Sequence, residues 1–93
     1  MKAVIDNRTY NTETATELGT WRSGRDFTKF YYEEATLYRS RRGNYFLAWN
    51  RMPPHRRAEI EPLTREQASR WAQEHSIDAD VIEAEFRDLI EQA

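Results

Sequence analysis

Cysteine is absent from the 93 residues, and glycine, proline and histidine are scarce at three, three and two. Without cysteine there is neither a disulfide nor a thiolate site for zinc, a usage that fits a reducing, cytoplasmic setting. Glycine only at positions 19, 24 and 43 leaves no glycine-rich loop to cradle a phosphate. His55 and His75 fall in different elements with no repeating carboxylate spacing, whereas zinc needs three or four converging ligands. They read as a loop residue and a helix-end residue, and neither a metal nor a cofactor is expected. Ser23, Ser40, Ser69 and Ser76 lack the context of a nucleophile elbow. The adjacent carboxylates Glu33 and Glu34 point to opposite faces of a strand, which separates them for joint acid–base work. No catalytic residue is assigned, and an enzyme is not expected. No apolar run approaches the roughly 18 residues of a membrane span. The opening MKAVIDNRTY has no apolar h-region or cleavage site, which predicts neither membrane contact nor a secretory signal.

What the chain does have is apolar and charged residues in balance, 39% and 32%. Its length predicts one domain over residues 1–93. A domain this small buries only around 60% of the surface its unfolded form exposes, so a deep cleft would compete with the core for apolar residues. The net charge of −2 conceals a segregation. Residues 22–57 carry nine basic residues, among them Arg39, Arg41, Arg42, Arg51, Arg56 and Arg57, against three acidic ones. Residues 58–93 carry three basic residues against ten acidic ones. One part of the surface is therefore expected to be basic and another acidic, a property that bears on partners and association rates.

Along the chain, Ala3-Val4-Ile5 and Arg8-Thr9-Tyr10 read as a hairpin turned at Asp6-Asn7, residues that tolerate positive φ. Residues 12–18 read as a short helical turn with Thr12 as N-cap and Gly19 as C-terminal stop. The aromatic and β-branched residues 30–40, then Arg41-Arg42-Gly43, then residues 44–50 predict a second hairpin closed by a type I turn with Gly43 in the left-handed region. That register places Leu37 opposite Leu47 and Ala35 opposite Trp49 on a core face. Tyr38 opposite Phe46 lies on the other face, to be covered by something else or exposed. Met52-Pro53-Pro54-His55-Arg56-Arg57 reads as a surface loop, because adjacent prolines remove two ladder donors. Glu59-Ile60-Glu61 reads as a short edge strand ended by Pro62. Thr64-Arg65-Glu66-Gln67 fits a capping box opening a helix with Ala68, Trp71, Ala72 and His75 on one stripe. A second helix, starting near Asp78 or Asp80 and running to the end of the chain, carries Ile82, Phe86, Leu89 and Ile90 on its buried stripe. The expected fold is α+β, a small antiparallel sheet of N-terminal hairpin plus meander, with two C-terminal helices packed on one face. Leu37, Leu47, Trp49, Trp71 and Phe86 are expected to share its core.

Two surface features point to partners. Arg41-Arg42 at the hairpin tip and Arg56-Arg57 after the double proline are exposed guanidinium pairs, suited equally to phosphates and carboxylates. The series Asp78, Asp80, Glu83, Glu85, Asp88 and Glu91 reads either as a solvated helix face or as a surface that docks on basic protein or imitates nucleic-acid phosphates. The basic middle also holds eight aromatics, the combination with which single-strand binders stack bases beside cations.

At residues 2–16, KAVIDNRTYNTETAT, at residues 34–47, EATLYRSRRGNYFL, and at Pro62-Leu63-Thr64-Arg65-Glu66-Gln67-Ala68, the chain resembles a group of short proteins from phages and other mobile elements. Asn7 stands where that group usually has glycine, and residues 48–57 replace its glycine-rich insertion. The resemblance implies a counter-defence setting, in which anti-CRISPR proteins of this size inhibit by occupying a surface of a CRISPR–Cas effector. Three readings of the partner stay open. One is a host protein or nucleoprotein complex, a CRISPR–Cas effector by what the resemblance implies. The second is a nucleic acid bound through the basic aromatic sheet region. The third is an assembly partner, such as a toxin–antitoxin or phage morphogenesis component.

Overall fold

The computed structural model describes residues 1–23, 32–52 and 59–93. Arg56 and Arg57 therefore lie outside the described residues, as do His55, Phe27, Phe30 and Tyr31. Strands β1 (Lys2–Ile5) and β2 (Arg8–Asn11) form the first hairpin. Asp6 and Asn7 hold φ of 49° and 64° at its turn, the two left-handed conformations of a type I′ turn. Strands β3 (Thr16–Arg22), β4 (Tyr32–Arg39), β5 (Tyr45–Met52) and β6 (Ile60–Leu63) follow as an antiparallel sheet in chain order. Helices α1 (Arg65–Glu74) and α2 (Ala79–Glu85) and a 3-10 turn at Arg87–Leu89 complete an α+β fold.

The β4–β5 register pairs Leu37 with Leu47, Ala35 with Trp49 and Tyr38 with Phe46, as the alternation of side chains requires. Gly43 sits at φ 85° and donates its N–H to Ser40 O at 2.9 Å, closing the turn. The helices cover one face of the sheet. Leu37, Leu47, Phe86, Ala68, Ala72 and Ile77 are buried together there, with Trp49 and Trp71 packed against them. The β1–β2 hairpin covers the other face, where Tyr10 meets Phe46 edge-on at 5.3 Å and Tyr38 stacks on Phe46. The molecule thus has three layers: helices, sheet and hairpin.

Four expectations are corrected. Residues 12–18 do not form a helical turn; the chain turns after Asn11 and Thr16–Arg22 is a strand, bulged between Glu17 and Gly19. Stiff β-branched threonines and the absence of an apolar helical stripe favour the strand. Gly19 serves packing, not a helix stop: a methyl group there would lie 2.8 Å from Ile77 Cδ1 and Cγ2. Strand β6 passes through Pro62, tolerated because this is an edge strand with no further ladder to supply. The last helix ends at Glu85, where Phe86 turns into the core and Arg65 Nη2 donates to Glu85 O at 3.2 Å, satisfying a terminal carbonyl. Leu89 is consequently exposed, while Ile90 stays half-buried.

Candidate functional site

The layered fold decides which side chains are offered to a partner. Of the middle-segment aromatics whose side chains are described, Tyr45 and Phe46 are buried and Tyr38 lies stacked beneath the hairpin. Trp49 is half-buried, with the Arg51 guanidinium 4.3 Å above its ring and Trp21 at its edge. These rings build cores, so among the described residues the sheet has no open face on which bases would stack.

The basic residues gather elsewhere. Arg41 and Arg42 stand exposed on the β4–β5 turn, and that turn faces the β1–β2 hairpin across a groove of about 610 Å³. Arg8, on β2, lines the same groove and donates to Asn44 Oδ1 at 3.2 Å. The rest of the lining is asparagine, threonine and serine; no lining residue is acidic, aromatic or aliphatic. Internal bonds consume acceptors in the lining. Asn11 Oδ1 accepts the Glu13 N–H at 3.0 Å, Ser40 Oγ accepts the Asn44 N–H at 3.0 Å, and Asn44 Oδ1 accepts from Arg8. Asn11, Asn44 and Ser40 keep their N–H and O–H donors for the groove, while one lone pair of each acceptor oxygen is already engaged. A second groove, about 570 Å³, adjoins the first at Arg8 and Asn44 and runs past Tyr45 to Arg65 at the start of α1.

The acidic candidates lie in the helical layer, across the sheet from the hairpin. Asp80 and Glu83 are exposed on α2, and Glu91 is exposed in the segment that follows. Asp80 is in the first turn of α2, where its N–H is capped by Asp78 Oδ1 at 2.8 Å. Glu83 accepts from Gln92 Nε2 at 3.4 Å. Asp88 is engaged by Arg65, whose Nη1 donates to Oδ2 at 2.8 Å and whose Nη2 donates to Oδ1. That hydrogen-bonded guanidinium holds the Asp88 carboxyl below its ordinary range. Glu85, which the sequence places in the same acidic series, turns inward instead and takes both Arg39 Nη1, at 2.6 Å, and the Tyr45 hydroxyl, at 2.8 Å. Burial first, and then this bond to Glu85, raise the Tyr45 phenol. Asp88 and Glu85 are thus engaged within the molecule, and of the acidic candidates Asp80, Glu83 and Glu91 are left exposed.

The structure brings Arg41 and Arg42 together with Arg8, which sequence reasoning did not single out. No local signal marks it, because its neighbours on the β4–β5 turn lie more than thirty positions along the chain. Glu33 and Glu34 are separated as expected, Glu33 beside Arg51 at 3.3 Å and Glu34 beside Arg22 at 2.6 Å. His75 stacks on Trp71 at 4.4 Å with its Nδ1 2.8 Å from Trp71 O, the role of a helix-end residue. Among the described residues no group of three or more His, Asp or Glu side chains is arranged to hold a metal ion, and no helix is long and apolar enough to cross a membrane. Set against protein-family models, curated proteins and solved structures, the chain matches none.

Proposed function

We propose that this is a non-catalytic binding protein of a mobile element that occupies a surface of a nucleoprotein machine and blocks its capture of target DNA. A CRISPR–Cas effector is the machine that the resemblance of residues 2–16 and 34–47 implies. The observation that carries the reading is the separation of charge across the sheet. A donor-lined groove with three arginines lies on the hairpin side, and residues 64–93 on the helical side hold eight acidic residues against three basic ones. The groove alone would give a free polyanion only a weak, salt-sensitive hold, opposed by the acidic helical layer, and a purely basic protein would be repelled by the groove. A nucleoprotein presents phosphates beside the positively charged channel that holds them, so both signs are matched within one footprint. Asp80, Glu83 and Glu91 then compete for channel cations, and complementary fields speed the encounter.

The test titrates the protein into guide-loaded effectors and follows target-DNA binding by mobility shift. Loss of DNA binding is expected to be complete at stoichiometric protein, with no mass change on the effector. Both Arg41→Glu/Arg42→Glu and Asp80→Lys/Glu83→Lys are expected to weaken it. Complete inhibition at substoichiometric protein would mean chemistry on the effector, and undisturbed DNA binding across effector types would remove the reading.

A further inference from the structure

We infer that the groove between the β1–β2 hairpin and the β4–β5 turn is a phosphate-binding site that grips the sugar–phosphate backbone of a nucleic acid strand. Three guanidinium groups, those of Arg8, Arg41 and Arg42, line it without an acidic neighbour in the lining. Among the described residues Arg41 and Arg42 form no ion pair, so their forks remain open to phosphate oxygens. Asn11, Asn44 and Ser40 bring N–H and O–H donors to the lining, and each of their oxygens already accepts one internal bond, so these donors complement an acceptor-only anion. The lining holds no apolar side chain, so nothing there would receive the carbon skeleton of an acidic peptide. It holds no aromatic ring either, so bases have nothing to stack on. Contact is therefore to the backbone and carries no sequence information. The choice of phosphodiester over carboxylate also rests on reading the partner as a nucleoprotein. The test uses the free protein, so failure here and failure of that reading are seen separately.

The experiment measures binding of a fluorescent single-stranded oligonucleotide of mixed sequence by anisotropy as salt is varied. Neutralising three phosphates predicts a slope of log affinity on log salt of roughly −2 for a single strand, or about a twentyfold loss between about 50 and 200 mM. Arg41→Ala/Arg42→Ala is expected to bring the slope to about −0.7. Both residues are exposed on a turn, and an unchanged thermal melt checks the fold. Arg8→Gln, which keeps an N–H for Asn44, is an independent variant expected to reduce the slope by about 0.7. Affinity is expected to be the same for oligonucleotides of different base sequence. No binding at about 50 mM salt, which favours phosphate contacts, would overturn the inference. So would slopes unaffected by all three substitutions, a strong base preference, or equally tight binding of an oligoglutamate of matched charge.

Discussion

The contact between Arg65 and Asp88 illustrates how single side chains fix the helical layer. Arg65 sits in the first position of α1 yet reaches both the Asp88 carboxylate and the terminal carbonyl of α2. Its guanidinium stays charged at all working pH, so the pair is governed by Asp88, whose carboxyl is held below the unfolded value near about 3.9. A depressed folded pKa means that the stabilisation is present above that unfolded value and is lost as pH falls through the folded one. Asp88→Asn is accordingly expected to melt below the parent at neutral pH, with the gap closing as pH is lowered beneath about 3.9. Melting curves at stepped pH check this; a gap that stays constant into strong acid would show that Asp88 contributes by packing alone. The substitution also separates fastening from the proposed function, since it leaves the candidates Asp80, Glu83 and Glu91 in place.

Among the elements, those whose signal is local were legible and those set by distant packing were not. Thr64 and Gln67 form both halves of the capping box, and Asp6-Asn7 and Gly43 adopt the positive φ that their turns demand. The β4–β5 register followed from side-chain alternation. Strand β3 was not legible, because its large apolar residues Leu18 and Trp21 stand three apart and give no alternation; its pairing with β4 and the seating of Ile77 on Gly19 define it. The end of α2 was equally hidden, since it depends on Arg65 capping Glu85 from another element. Of the candidate site, Arg41 and Arg42 were legible as a hairpin tip, whereas Arg8 joins them only once the first hairpin is laid on the sheet. The exit of α1 yields a prediction of its own. Ser76 holds φ 55° while the Ile77 N–H reaches back to Ala72 O at 3.1 Å, a C-terminal motif in which glycine is usual. A side chain in the left-handed region costs about 1–2 kcal/mol, partly offset by the extra unfolded-state entropy of glycine. Ser76→Gly is thus expected to stabilise the fold by about 0.5–1 kcal/mol in urea titrations. A lowered midpoint would contradict this description of the α1 exit.

For the molecule as a whole, the two faces of one sheet are both consumed by packing, helices on one side and hairpin on the other. Binding is left to edges, turns and charged outer surfaces, and these divide by sign. On the proposed function the partner carries both signs: the groove alone is expected to give only a weak, salt-sensitive hold on a free strand, and tight stoichiometric binding requires both surfaces. Isothermal titration of the protein into a purified, guide-loaded CRISPR effector tests that claim most directly, because it reads stoichiometry and affinity without reference to DNA cleavage. The expected result is a saturable isotherm with a fixed molar ratio, weakened at least about tenfold by reversing Arg41 and Arg42 and, independently, by reversing Asp80 and Glu83, as loss of close charge complementarity requires. An isotherm unchanged by either reversal, or no binding to any effector type, would contradict it.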